Sequence, residues 1–231
     1  MNIEAQLQTQ KDRIRKRLLI YTRKAFRILP QLDKPRILDI GCGSGVPTME
    51  LARLTGGEIT GIDIDRAMLD RLRKKIEKAG LSDRVGTIKC SIPDMKFPDE
   101  NFDLIWAEGS IYVIGFARGL REWKRFLKPG GYLAIHDERG NLEKKLEQIS
   151  ICGYELLGYF ELNIDVWRAE YFAPMAEFIN RTRTKYAGDD EALKALHEEQ
   201  MEIDNFKKNP ERNSSVFFIL KRGQSPFDKK P

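Results

Sequence analysis

The chain has 231 residues, of which 32% are charged and 41% hydrophobic, and carries a net charge of +5. That length allows one large α/β domain with a sizeable core, and the composition excludes disordered and fibrous classes. No long apolar run reads as a membrane span, and no apolar segment near Met1 reads as a secretory signal. The three cysteines (Cys42, Cys90, Cys152) lack metal-ligand spacing. Free thiols, a cytoplasmic location and no metal site are therefore expected.

Residues 1–30 read as one helix over roughly 4–29, closed by Pro30. Within residues 11–27, Lys11, Arg13, Arg15, Lys16, Arg17, Arg23, Lys24 and Arg27 stand against Asp12 alone. Ile14, Leu18, Tyr21, Ala25 and Ile28 recur at helical spacing, so the helix is amphipathic and basic. Its simplest role is a solvated outer face packed on the domain edge. The alternatives are a patch for nucleic acid or an anionic substrate and a lid over a ligand.

From residue 36 onward, strands and helices alternate. Strands are predicted at 36–40, 58–63, 84–89, 102–107 and 131–136. Helices are predicted at about 47–55, along Ala67, Leu69, Leu72 and Ile76 up to Gly80, and at 116–127. Such alternation means a parallel sheet covered on both faces. Leu142, Leu146 and Ile149 mark a further helix, and 154–162 and 216–220 the last two strands. The segment 163–212 between them exceeds a normal connection and reads as a helical insertion, with helices at 176–186 and 191–206 parted by Gly188. Trp167, Tyr171, Phe172 and Pro174 gather at its start, suiting either a substrate cap or ordinary core. The tail after Lys221 is expected to fray.

The segment Arg36–Gly45 carries the chemistry. An apolar strand broken only by Asp39 runs into a loop with Gly41, Gly43 and Gly45. Glycine permits a tight turn and close backbone approach to a ligand. A second strand ends in Asp63, 18 residues beyond Gly45, near the spacing at which a carboxylate grips a ribose. A dinucleotide or an adenosyl group satisfies that pattern. The dinucleotide fingerprint needs Gly or Ala at position 46, which here is Val46, and has no use for Asp39. An adenosyl ligand with an amino-acid tail suits a loop of backbone polar groups beside a carboxylate.

Ile37–Gly45 resembles the first motif of the class I S-adenosylmethionine-dependent methyltransferases. Gly61–Asp65 resembles the second, 97–106 the approach to their fourth strand, and 127–135 the turn into their fifth. Within that class the chain is most similar to the ubiquinone/menaquinone-biosynthesis type, which methylates small molecules. The resemblance implies a single domain over 1–231 with a Rossmann-like, doubly wound, seven-stranded sheet whose last strand is antiparallel. It implies S-adenosylmethionine as cofactor, with S-adenosylhomocysteine as product. Asp39, Gly41, Cys42, Gly43 and Gly45 would hold the amino-acid tail, Asp63 the ribose, and Ile64, Ser91 and Ile92 the adenine. Ser91 departs from the family, where an Asp is common. The resemblance also favours a lid role for 1–30, with Tyr21 and Arg23 as contacts. Within the possible cap, the gathered aromatics make Trp167 and Tyr171 candidate substrate contacts.

Open α/β sheets bind ligands beyond the carboxyl ends of their strands. Glu108 and Tyr112 follow the fourth strand there, and His136 ends the fifth. Glu108 could bind the cofactor or a substrate ammonium, act as a base, or cap the next helix; Tyr112 could line the pocket. A histidine titrates near neutrality and suits general-base work. Methyl transfer from a sulfonium depends mostly on positioning, with a base needed only when the acceptor must lose a proton. The Asn/Asp-Pro-Pro-Tyr/Phe motif of base-amine methylation is replaced by Ala107-Glu108-Gly109-Ser110. No Pro-Cys pair suits cytosine methylation, and a pair of loop glutamates for arginine methylation is missing. A small-molecule acceptor remains, with no nucleic-acid or membrane partner expected and monomer and homodimer both open. The competing classes are a nicotinamide-dependent oxidoreductase and a non-catalytic S-adenosylmethionine binder.

Overall fold

The computed structural model of the chain describes residues 2–208 and 214–223. Seven strands, β1 (Arg36–Ile40), β2 (Glu58–Asp63), β3 (Val85–Lys89), β4 (Phe102–Glu108), β5 (Leu127–Glu138), β6 (Tyr154–Leu162) and β7 (Ser215–Arg222), form one sheet in the order β3-β2-β1-β4-β5-β7-β6. The first five are parallel and the last pairings antiparallel. The helices are α1 (Ile3–Phe26), α2 (Val46–Leu54), α3 (Arg66–Lys78), α4 (Phe116–Lys124), α5 (Leu142–Ile151), α6 (Ile164–Trp167), α7 (Ala173–Lys185) and α8 (Asp190–Lys208). None is long and apolar enough to cross a membrane.

The chain, read from sequence as one domain, divides into two compact units. The sheet unit holds Tyr21–Asp137, Asn141–Phe160 and the chain from Val216; the helical unit holds the chain up to Ile20, Glu138–Gly140 and Glu161–Ser215.

In the sheet unit, alternate residues of neighbouring strands bury one face, as the two-residue period of a strand requires. Leu38, Ile40, Ile105, Ala107, Leu133, Ile135, Val216, Phe218 and Leu220 pack there with Phe116, Leu120 and Trp123 of α4 and Ile149 of α5. Trp106 and Phe217, intercalated between those positions, meet at 6.5 Å with their rings tilted, and Phe26 from the end of α1 lies 6.5 Å from Trp106. β5 runs further than the predicted 131–136. Its pairing with β4 jumps from Phe102↔Leu127 to Leu104↔Tyr132, so Lys128-Pro129-Gly130-Gly131 is a bulge within the strand rather than a turn before it. α1 stops short of residue 29 because the amides of Ile28 and Leu29 bond three residues back, to Ala25 and Phe26 (3.2 and 3.1 Å), ahead of Pro30.

The helical unit has its own apolar cluster: Ile3, Leu7 and Ile14 of α1 with Tyr171, Phe172, Met175, Ile179, Ala192, Leu196, Ile203 and Phe206. Lys11 pairs with Glu199 (2.6 Å) and Arg17 with Glu170 (2.8 Å), so the basic face of α1 is not simply solvated. The insertion is helical from Ile164, earlier than the predicted 176, because Asn163 caps it by accepting from the Val166 amide (3.1 Å). The turn at Arg168–Phe172 widens to a π register just before Pro174, whose missing N–H breaks the α ladder and masks the helical period in the sequence. Of the predicted insertion, 209–213 lies outside the described residues, as does the tail beyond Gly223.

Truncating a fully buried side chain of this cluster removes apolar burial and leaves a cavity. Leu196→Ala should destabilise the protein by about 2–5 kcal/mol in urea unfolding. A loss below half a kcal/mol would contradict the packing described.

Candidate active site

Strand order reverses between β1 and β4, and the crevice at their carboxyl ends is where such sheets bind ligands. The loop leaving β1 turns sharply. Gly41 and Gly45 have φ of 72° and 79°, the left-handed region that glycine adopts without strain. A Cβ on Gly41 would also lie 2.5 Å from the Cβ of Ser110, so the loops after β1 and β4 touch. Ser110 ties them by donating its hydroxyl to the Ile40 carbonyl (2.6 Å).

The amides of the loop are engaged inside the protein. Those of Gly41 and Cys42 both donate to the Ile62 carbonyl at 2.9 Å, and that of Gly45 to the Cys42 carbonyl at 2.9 Å. The Gly43 amide donates to Asp63 Oδ2 (2.8 Å), while Asp63 Oδ1 accepts from the Asp65 amide (2.9 Å). Two backbone donors thus aim the Asp63 carboxylate. Each of its oxygens has a second lone pair, which leaves capacity for ribose hydroxyls. α2 begins with Pro47 in its first turn, which removes one more donor.

Asp39 is buried beneath α2 and accepts from the Thr48 hydroxyl at Oδ2 (2.6 Å). Burial pushes its pKa up to about 7; the Thr48 bond opposes this, and the negative charges of Glu108 and Asp63 add to it. Glu108 Oε1 accepts from Trp106 Nε1 (2.8 Å) and from the Thr22 hydroxyl at the end of α1 (2.9 Å). Its carboxylate is therefore held by these two side chains, and the cap residue of the following short helical turn is Ser110. Three carboxylates converge on a site where the loop amides of Gly41, Cys42, Gly43 and Gly45 are already bonded. A pyrophosphate needs N–H donors and positive potential; this site offers acceptors and negative charge. It suits a cation, and the sulfonium and ammonium of S-adenosylmethionine fit it.

Residues 37–131 match the methyltransferase domain family. Over 111 residues, 47% of this chain, the sequence is 39% identical to the methyltransferase GfsG of Streptomyces halstedii, covering 40% of that protein. Over 103 residues, 44% of this chain, it is 34% identical to the sterol 24-C-methyltransferase ERG6B of Gibberella zeae, covering 27% of that protein. Residues 37–131, less than half of the chain, thus carry the similarity to a methyltransferase domain. The matches thus span less than half the length of these curated relatives.

The methyltransferase fold is shared along most of the chain with solved structures. The [4+2]-cyclase SpnF superposes with a TM-score of 0.73 at 23% identity, over 91% of this chain and 81% of that one. A SAM-dependent methyltransferase from Geobacter sulfurreducens, in complex with S-adenosylhomocysteine, gives 0.69 at 21% identity over 85% and 87%.

The other residues named from sequence fall in several places around the methyltransferase domain and beyond it. Cys42 points inward against Gly61, and burial raises its thiol pKa. Ile64 follows Asp63 and is 66% exposed, an apolar side chain left in solvent beside the loop. Ser91 and Ile92 follow β3, with the Asp94 amide bonded to the Ser91 carbonyl (3.0 Å). Tyr112, in a short helical turn after β4, is 69% exposed. His136 pairs across the strands with Glu108 and stacks on Phe217 at 4.2 Å. Burial lowers its pKa to about 3, so it is neutral near pH 7 and a weak proton acceptor, which removes the titration on which the general-base expectation rested. Tyr21 is partly buried, and Arg23 pairs with the buried Glu50 of α2 at 2.5 Å. Trp167 and Tyr171 lie in the helical unit's own cluster, where Trp167 Nε1 donates to Ser215 Oγ (3.0 Å) and the two rings meet edge to face at 5.9 Å. Burial pushes Tyr171 up to about 12. Thr22, Thr48, Trp106 and Ser110 were not anticipated. Among the described residues no cluster of metal-ligating side chains occurs.

Asp39 makes the domain's stability depend on pH. Its folded pKa lies above the unfolded value, so the folded protein keeps a proton that the unfolded chain releases from about pH 4 upward. Stability conferred by that proton is therefore present at low pH and lost as pH rises through 7. In ligand-free protein, the melting temperature of Asp39→Asn relative to wild type should rise by several degrees between pH 5 and pH 8. A difference that stays constant over that range would contradict the assignment.

Proposed function

We propose that the protein transfers a methyl group from S-adenosylmethionine to a small-molecule acceptor. The observation that carries this reading is the triad of carboxylates, Asp39, Asp63 and Glu108, around a loop with its amides engaged: an anion-averse site in the position where this fold takes its cofactor. The domain match and the methyltransferase names of the relatives support it. A nicotinamide-dependent oxidoreductase has no support from the site's chemistry, since its pyrophosphate would face negative charge. The [4+2]-cyclase on the same fold is a reminder that architecture alone does not fix the reaction.

When bound, the cofactor supplies a methyl group already activated on a positively charged sulfur. What the chain contributes is binding and orientation. Asp63 would hold the ribose, Ile64, Ser91 and Ile92 would hold the adenine, and the Gly41–Gly45 loop with Asp39 would take the amino-acid tail. Glu108 would supply negative charge toward the sulfonium, and the exposed Tyr112 would face the acceptor. His136, neutral and stacked, acts as wall rather than base. In-line positioning of donor and acceptor then provides most of the rate. A cytoplasmic location accords with three free cysteines.

Calorimetric titration with S-adenosylmethionine, S-adenosylhomocysteine and NAD in parallel tests the reading. Binding of both adenosyl ligands and none of NAD is expected. Asp63→Ala should weaken both adenosyl ligands at least about tenfold, the scale of losing charge-assisted hydrogen bonds. Binding of NAD alone, or an Asp63→Ala protein with unchanged affinity, would overturn the assignment.

A further inference from the structure

The end of α1 is fixed to the sheet unit residue by residue. Thr22 is 2% exposed and donates to Glu108 Oε1. Arg23 pairs with buried Glu50, the Lys24 ammonium sits 4.1 Å above the Phe160 ring, Ala25 is fully buried, and Phe26 packs on Trp106. This turn is therefore built into the site rather than swinging over it. The Thr22 side chain is aimed at the end of β4.

Two donors, Thr22 Oγ1 and Trp106 Nε1, meet on a single oxygen of Glu108. Trp106 is fully buried and pairs in register with Asp39, so its indole cannot move without disturbing the sheet. Neither donor carries a charge. They restrict the carboxylate's rotation without adding a charge of their own. The Ser110 hydroxyl, bonded to the end of β1, holds the following loop in place.

We infer that Thr22 is a positioning residue for cofactor selectivity: with Trp106 it fixes the Glu108 carboxylate beside Asp39, where its charge favours the sulfonium of S-adenosylmethionine over the uncharged sulfur of S-adenosylhomocysteine. This rests on the cofactor reading above. The two ligands differ by one methyl and one positive charge, so a fixed anion near the sulfur discriminates between substrate and product and favours product exchange. A carboxylate freed to rotate samples positions farther from the sulfur and loses part of that preference.

The test is titration of wild type, Thr22→Val, Thr22→Ser, Glu108→Gln and the Thr22→Val/Glu108→Gln double variant with both ligands. Valine keeps the shape of threonine and removes the donor. The ratio of affinities for S-adenosylmethionine over S-adenosylhomocysteine should fall about fivefold in Thr22→Val, the scale of one lost hydrogen bond. Affinity for S-adenosylhomocysteine should stay within about twofold, and Thr22→Ser should restore the ratio. In the Glu108→Gln background Thr22→Val should have no further effect on the ratio, because the two act as one unit. An unchanged ratio in Thr22→Val, equal weakening of both ligands, or additive effects in the double variant would overturn the inference and leave the cofactor reading standing. Wild-type protein that binds neither ligand would overturn both.

Discussion

Like charges held together by the fold are the constraint on which the site depends. The parallel order of β1, β2 and β4 brings Asp39, Asp63 and Glu108 to adjacent strand ends, where the charges of Glu108 and Asp63 raise the cost of ionising Asp39. Nothing in ordinary folding favours such a cluster, so its retention points to a cationic ligand that relieves it. The loop amides of Gly41, Cys42, Gly43 and Gly45 could have relieved it differently, by drawing in an anion. They are instead bonded to Ile62, Asp63 and Cys42. The same backbone geometry that elsewhere cradles phosphate is here turned into a cation site by engaging its donors.

Rigid elements hold these charges. Asp39 is locked by Thr48 from α2, Asp63 by two backbone amides, and Glu108 by Trp106 and Thr22. The Arg23–Glu50 pair secures the α1 turn that carries Thr22. Arg23 reaches solvent while Glu50 is buried, so losing the arginine would strand a buried carboxylate. The pair's value here is positional. A carboxylate anchored on a strand end keeps its orientation in a way that a loop residue does not.

Most of the fold was legible in the sequence because backbone demands restrict residue type. Gly41 and Gly45 declare a turn with positive φ, Asp63 ends an apolar run at the expected distance, and Gly80 and Gly153 mark element ends. The strand set, its order of appearance and the cofactor loop follow. What escaped was decided by tertiary contact. Thr22 sits in a strongly basic helix whose inward face was read as Ile14, Leu18, Tyr21, Ala25 and Ile28. Ile14 and Ala25 are buried, but Leu19, Thr22 and Leu29, each one position on, are buried in place of Leu18, Tyr21 and Ile28. A polar residue at a buried helical position was the available signal. His136 stands at a strand end that suits catalysis, but only the structure shows the Phe217 ring against it. The aromatics at 167–172 were equally suited to a pocket and a core, and a π turn before Pro174 directs them into the helical unit's cluster.

The central claim is that cation binding relieves a strained carboxylate cluster, and proton counting tests it most directly. Calorimetric titration of the protein at pH 7 in two buffers of different ionisation enthalpy gives the protons exchanged per ligand bound. With Asp39 near half-protonated in the free protein, S-adenosylmethionine should release about half a proton. S-adenosylhomocysteine should release clearly less, and Asp39→Asn should abolish the difference. Equal proton release with both ligands, or none with either, would contradict the account.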